Sequence, residues 1–246
     1  MIYSYENSLR ADTCREYLSG VVGVERFDKI ILLPIPSTKD KKTIMHTNVG
    51  INEIKDQICG RTLVSSYGLD DTSRQALSDA GATIVELSED EEFLLENAEL
   101  TAVATLGIFL TTTKISARDL RVGIVGYGRI GKRLVNHFLY LGAKVKVFTS
   151  RADTRLDLCT YGVAGVKSCA DADLSNLDLL INTAPAVIFS PSLIPPGLRI
   201  IDLASGENFP GVDGVERYPS VPARMFPISA GKTWGRALER HIVNIH

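Results

Sequence analysis

Gly126-Tyr127-Gly128-Arg129-Ile130-Gly131 is the stretch that most restricts what this chain can become. It follows an apolar run, Arg121-Val122-Gly123-Ile124-Val125, that reads as a buried strand. It opens a segment, 129–141, in which Ile130, Leu134, Val135, Phe138 and Leu141 recur at helical spacing. Gly142 is placed to end that helix, and Lys144 to Phe148 reads as the next strand. A glycine turn between strand and helix has a physical purpose. The first glycine permits the tight turn, the second lets a diphosphate approach the backbone, and the third lets the helix pack against the strand. The N–H groups at the helix start then meet the phosphate charge.

This pattern predicts an α/β fold with a doubly wound parallel sheet of Rossmann type. Its expected ligand is a nicotinamide dinucleotide, held by Gly126, Gly128, Arg129, Ile130 and Gly131. The residue closing the second strand selects between coenzymes, because an acid there accepts bonds from the ribose hydroxyls. Here that place holds Thr149-Ser150-Arg151. Two hydroxyls and a guanidinium suit a 2′-phosphate, so NADP is expected over NAD. Asn182-Thr183-Ala184-Pro185 and Asp202-Leu203-Ala204-Ser205-Gly206 follow two later strands, Leu179 to Asn182 and Leu198 to Leu203. Ligands of open sheets collect at such carboxyl ends, so Thr183, Ala184, Pro185 and Ser205 join the cofactor set on the nicotinamide side.

The first half alternates strand and helix signals in the same way. Lys29 to Ile35, Thr62 to Ser66 and Ala82 to Leu87 read as strands; residues 9–19 and 70–80 read as helices. No clear strand precedes residue 9, so a smaller, truncated flavodoxin-like α/β domain is expected over 1–96. Residues 97–118 form a connecting helix, part of a long apolar helical stretch over 91–113. The dinucleotide domain is expected over 119–246, closed by a helix from Thr233 to Ile245.

Composition excludes some classes. A net charge of −2 over 246 residues argues against a nucleic-acid surface. The opening residues lack a signal peptide, and the apolar run Ala102 to Leu110 is too short to span a bilayer, so a cytoplasmic protein is expected, without a membrane partner. Cys14, Cys59, Cys159 and Cys169 form no metal-ligand spacing, and free thiols with no metal site are expected. Gly231-Lys232-Thr233 lacks the earlier glycine of a P-loop, since Phe226 stands there. Lys232 still reads as a helix-start lysine able to hold an anion. His46 and His137 look isolated, and His241 and His246 look like surface residues of the last helix.

Taken together, these residues resemble those of the dipicolinate synthase family, in its A-type component. Ile31-Leu32-Leu33-Pro34-Ile35-Pro36-Ser37-Thr38 is similar to that family's early strand and loop, and Asn97-Ala98-Glu99-Leu100-Thr101-Ala102 to the start of its connecting helix. Gly126 to Gly131 carries its G-x-G-R-x-G, and 182–185 and 202–205 resemble its later loops. Ala230-Gly231-Lys232-Thr233-Trp234-Gly235 resembles its A-P-K-T-A-G, with Gly231 in place of Pro. The family's initial strand looks missing, and Val103 stands where the family has Glu.

The resemblance implies an NADP-dependent oxidoreductase of sporulation that converts a cyclic dihydro- or hydroxytetrahydro-dipicolinate to dipicolinate. It also implies a partner, the flavoprotein-like B subunit of dipicolinate synthase; a homo-oligomer is compatible. Ser37, Thr38 and Ser66 after the first strands, Thr101 on the connecting helix, and Lys232 are the expected binders of the dicarboxylate substrate. No general base is named. Two rival readings stand beside this one. A D-2-hydroxyacid dehydrogenase needs an Arg after Asp202-Leu203 and a late His, and the chain has Ala204-Ser205-Gly206 and no such His. A non-catalytic NADP-binding module is the other.

Overall fold

The computed structural model describes residues 1–160, 163–166 and 173–245. The side chains of Leu156, Asp157, Cys159 and Thr160, together with Cys169 and His246, lie outside the described residues. The chain divides into two compact units, Met1–Asn97 with Pro222–His246, and Ala98–Val221.

The first unit is a parallel sheet in the order β1 (Ile2–Ser4), β2 (Lys29–Leu32), β3 (Thr62–Ser66), β4 (Ala82–Glu86). Parallel strands covered on both faces need apolar residues on both, and β2 shows why. Ile30 and Leu32 point into one core with Cys14, Leu18, Leu63, Phe93 and Trp234; Ile31 and Leu33 point into another with Ile44, Ile54, Val64 and Leu77. The helices start on polar caps. Ser8 accepts the Ala11 amide (3.2 Å) at α1 (Leu9–Ser19), and Asp70 accepts the Ser73 amide (3.0 Å) at α2 (Asp71–Asp79). Asp90 accepts the Phe93 amide (2.9 Å) at α3 (Glu91–Thr112).

Two expectations for this unit change. A first strand exists: β1 lies parallel to β2, pairing Ile2 with Ile30 and Ser4 with Leu32. Three residues are too short a run for a period-2 pattern to be visible, which is why the sequence concealed it. The strand order also runs sequentially from β1 to β4, without the reversal of a flavodoxin-like sheet.

The closing helix is the third difference. α7 (Pro227–Asn244) belongs to the first unit and packs along α1. A Cβ on Gly231 would stand 2.4 Å from the Arg10 carbonyl oxygen, and one on Gly235 would stand 2.5 Å from the Tyr17 ring. Two glycines four residues apart therefore let the two backbones approach. A closing helix from Thr233 to Ile245 was legible in sequence; its start at Pro227 and the sheet it covers were not.

The second unit is a six-stranded parallel sheet in the order β10-β9-β8-β5-β6-β7. Its strands are β5 (Arg121–Val125), β6 (Lys144–Phe148), β7 (Ala164–Val166), β8 (Leu179–Asn182), β9 (Arg199–Asp202) and β10 (Val215–Arg217). The chain starts at β5, winds outward through β6 and β7, then reverses to β8 on the other side. α4 (Arg129–Tyr140) follows β5 and α5 (Ala152–Thr160) follows β6; α6 (Val221–Met225), after β10, lies in the first unit from Pro222 on. Leu134, Val135 and Phe138 of α4 are buried, and Phe138 meets Phe109 edge to face at 5.7 Å. Although α3 is long and apolar enough to cross a bilayer by composition, it buries Phe93, Ala98, Ala102, Ala104, Ile108 and Phe109 inside the protein.

Candidate dinucleotide site

The strand order reverses between β5 and β8, and the glycine turn leaves β5 at that point. Crevices at such a reversal are where doubly wound sheets receive ligands. Each glycine has its own geometric cause. Gly126 sits at φ +87°, a left-handed conformation that side chains strain, and a Cβ there would lie 2.8 Å from Thr183 Oγ1. Gly131 is buried, and its Cβ would fall 2.3 Å from the Gly126 carbonyl oxygen. Gly128 is different: among the described residues, a Cβ there meets nothing within 4 Å. The turn is thus closed on the protein side by Gly126 and Gly131 and open at Gly128. The first intrahelical bond of α4 runs from the Lys132 amide to the Gly128 carbonyl (3.0 Å), so the helix start with its partial positive charge faces this opening. An open cradle backed by a helix start fits a dinucleotide diphosphate.

Loops at the ends of β8 and β9 are tied to the turn and to each other. Thr183 donates its hydroxyl to the Val125 carbonyl (2.8 Å). Asp202, buried at the end of β9, accepts from Asn182 Nδ2 (2.8 Å), Asn208 Nδ2 (3.1 Å) and the Ala204 amide (3.2 Å). Asn182 also accepts from the Ala184 amide (3.1 Å) and donates to the Ala184 carbonyl (3.0 Å). A buried carboxylate needs several donors, and this one joins the loops 182–185 and 202–208. Asp202→Asn replaces an acceptor by a group that must donate toward other donors. We expect a stability loss of roughly 2–4 kcal/mol, read as a lowered urea midpoint. A change below about 0.5 kcal/mol would show that the cluster does not hold these loops. Asn208 escaped the sequence reading; its only signal was a second amide in a turn-rich loop near a strand-end acid.

Where β6 ends, Thr149 Oγ1 accepts the Arg151 amide (3.4 Å), and Ser150 and Arg151 are exposed. Arg155 reaches back from α5 to the carbonyls of Thr149 (3.3 Å) and Ser150 (3.0 Å). Arg151 pairs with Asp153 through Nη2 (2.6 Å) and Nε (3.3 Å). Neither Arg155 nor Asp153 was singled out from sequence. Ser205 is exposed, and its carbonyl accepts from Asn208 (3.3 Å).

The expected substrate binders divide. Ser37 is buried; its hydroxyl donates to the Pro34 carbonyl (3.1 Å) and accepts the Tyr67 amide (2.7 Å), so it locks two loops together. Ser66 is also buried and donates to Glu86 (2.9 Å). Burial acts to raise the Glu86 carboxyl, but donors from Ser88, Gly68 and Ser66 outweigh it and hold it below the usual range. In both serines the hydroxyl closes a bond within the protein. Thr38 is half-buried in a short antiparallel bridge to Ile44, and Thr101 is buried within α3. Lys232 is exposed in the second turn of α7, because the helix begins at Pro227 rather than Thr233. The expectation that Lys232 is a helix-start lysine is therefore not met.

His137 is not isolated: its Nε2 lies 2.8 Å from Glu99 Oε1, and Arg133 approaches the other oxygen at 3.4 Å. His241 lies 3.2 Å from Asp90, which also holds Arg240. A cleft of the first unit lined by Asp71, Arg74, Gln75, Glu86, Glu89 and His241 carries charges that satisfy one another, Arg74 with Asp71 and Glu89 among them.

Neither a family model nor a curated protein matches the chain. Solved structures do. The A component of dipicolinate synthase from Bacillus halodurans is 23% identical, with a TM-score of 0.77 over 99% of this chain and 97% of that one. Its counterpart from Bacillus subtilis is 20% identical, with a TM-score of 0.78 over 99% and 96%. This chain has the fold of the dipicolinate synthase A component. A D-isomer specific 2-hydroxyacid dehydrogenase from Lactobacillus delbrueckii ssp. bulgaricus, solved as its NAD complex, follows at 9% identity and a TM-score of 0.56, covering 99% and 96%. The dipicolinate synthase fold thus sits among dehydrogenase folds, with β1 present and the glycine turn at the sheet's reversal.

Proposed function

We propose that this chain is an NADP-dependent oxidoreductase that forms dipicolinate from a cyclic hydroxytetrahydro- or dihydro-dipicolinate, as a cytoplasmic protein of sporulation. The observation that carries this is the open Gly128 turn at the sheet reversal, in a chain that follows dipicolinate synthase structures over 99% of its length. The hydroxytetrahydro form loses one water to become the dihydro form, and the dihydro form loses a hydride and a proton to become the aromatic pyridine-2,6-dicarboxylate. Bound NADP would supply the hydride acceptor. The chain's part is to bind and orient. Gly126 and Gly131 hold the turn, Gly128 admits the diphosphate, and Arg151 takes the 2′-phosphate. The Asn182–Asp202–Asn208 cluster holds the two loops on the nicotinamide side. Aromatisation supplies driving force, so orientation carries more of the work than a strong base. Ser37, Thr38, Ser66, Thr101 and Lys232 are the proposed carboxylate binders. The proposed protein partner is the flavoprotein-like B subunit.

The test combines the chain, NADP and the product of dihydrodipicolinate synthase, with and without the B subunit. Growth of dipicolinate ultraviolet absorbance matched by NADPH is the expected result. Saturable NADP binding without turnover in either arm would instead favour a non-catalytic module. Arg151→Ala should weaken NADP by about 10-fold or more while leaving NAD within about twofold, since a lost phosphate pairing is worth about 1.4 kcal/mol or more.

A further inference from the structure

The first turn of α5 places a carboxylate beside Arg151, the guanidinium proposed for the 2′-phosphate. Arg151 is an exposed guanidinium, yet its Nη2 and Nε already face the two oxygens of Asp153 at 2.6 and 3.3 Å. Arg155, from α5, donates to the carbonyls of Thr149 and Ser150 and so ties down the backbone that precedes Arg151. Asp153 is fixed as well, because its Oδ1 also accepts the Thr154 amide (2.8 Å) in the first turn of α5. The carboxylate therefore stays near Arg151 without depending on the pair alone.

We infer that Asp153 is a positioning residue that sets coenzyme preference: it competes with the 2′-phosphate of NADP for the guanidinium of Arg151, and so holds the NADP-over-NAD discrimination below what Arg151 alone would give. This rests on the coenzyme reading above. The pairing with Arg151 and the Thr154 amide hold the Asp153 carboxyl at about 2, so it keeps its charge throughout the physiological range. Acidification within that range does not release Arg151; only displacement does. NAD has no 2′-phosphate, and its ribose hydroxyls can donate to a nearby carboxylate, so its affinity does not benefit from removing Asp153. The pair is solvent-exposed on both sides, which keeps displacement feasible and the effect modest.

The experiment is a calorimetric titration of the full chain with NADP and with NAD, for wild type, Asp153→Asn, Arg151→Ala and the double variant. Asn keeps an oxygen to accept the Thr154 amide, so α5 retains its first-turn bond. Asp153→Asn should tighten NADP by about 3- to 10-fold, leave NAD within about twofold, and lose part of the gain in high salt. The double variant should show no preference for NADP. An unchanged NADP:NAD ratio in Asp153→Asn overturns the inference while leaving the coenzyme reading intact. A preference that survives in the double variant overturns it too, since Asp153 would then not act through Arg151. If folded wild type and Asp153→Asn saturate with neither coenzyme, the inference and the coenzyme reading fail together.

Discussion

Gly128→Val is expected to weaken dinucleotide binding by roughly 100-fold or more, while Gly131→Ala is expected to damage the fold first. The two residues share one motif and differ in what surrounds them. At Gly128 the backbone is extended, with φ −81° and ψ −160°, and open space lies where a side chain would go. Valine fits that conformation, so the folded state should lose less than about 1 kcal/mol. Its methyls, however, would occupy the space through which a diphosphate must reach the start of α4. At Gly131 the added methyl would fall on the backbone of Gly126, 2.3 Å from oxygen and 3.0 Å from carbon. Neither atom is the end of a flexible side chain, so the turn or the helix must shift, at a cost of roughly 1–3 kcal/mol. Alanine's better helix propensity returns only about 1 kcal/mol. Urea midpoints and coenzyme titrations on both variants separate these effects. Gly128→Val binding as tightly as wild type would mean that the diphosphate does not pass over this turn.

Where a residue's role follows from its neighbours in sequence, it was legible. The β5–turn–α4–β6 unit is local: a buried run, three glycines at fixed offsets, an amphipathic helix and a second run, and the observed bounds fall on the expected ones. The strands β3, β4 and β8 and the helices α1, α2 and α3 were visible for the same reason. β7 and β10 were not, since each has three residues and neither has room for a pattern.

Long-range pairing decided the rest. Ser37 and Ser66 stand at the carboxyl ends of strands, as ligand-binding hydroxyls do. Yet Ser37 bonds the amide of Tyr67, thirty residues on, and Ser66 bonds Glu86. Nothing in either serine's local sequence separates a hydroxyl that awaits a ligand from one that closes a loop. Asp202 and Asn182 illustrate the converse. Each polar residue ends an apolar buried strand, which flagged the loops, but the donor that completes the cluster, Asn208, comes from a turn whose path sequence does not specify. Asp153 gave no such signal. The strand-end pattern points to residues 149–151, whereas the competing charge sits in the first turn of the helix that follows.

Trp234→Ala should be the most destabilising single truncation in the first unit, by about 3–5 kcal/mol. Trp234 is fully buried between α1, α3 and the sheet, with Leu18, Phe93 and Leu238 in the same core. Its Nε1 donates to Ser65 Oγ (2.8 Å) on β3, and the Arg10 guanidinium lies 5.6 Å from its ring centre. Arg10 is itself buried and paired with Glu6 (2.6 Å), so removing the ring strips an apolar and cation–π neighbour from an ion pair with little water around it. Trp234→Phe keeps most of the volume and should lose only about 1–2 kcal/mol, chiefly the bond to Ser65. Gly231→Ala tests the same interface from its backbone side. Alanine gains about 1 kcal/mol of helix propensity, but its methyl lands on the Arg10 carbonyl and on Thr13 Cβ at 2.6 Å. The steric cost should win, giving a net loss of roughly 1–2 kcal/mol. Urea midpoints, with unchanged slopes, should rank the variants Trp234→Ala lowest and wild type highest. A stabilised Gly231→Ala would mean that α7 does not press on α1 in solution, and the placement of the closing helix on the first unit would fall with it.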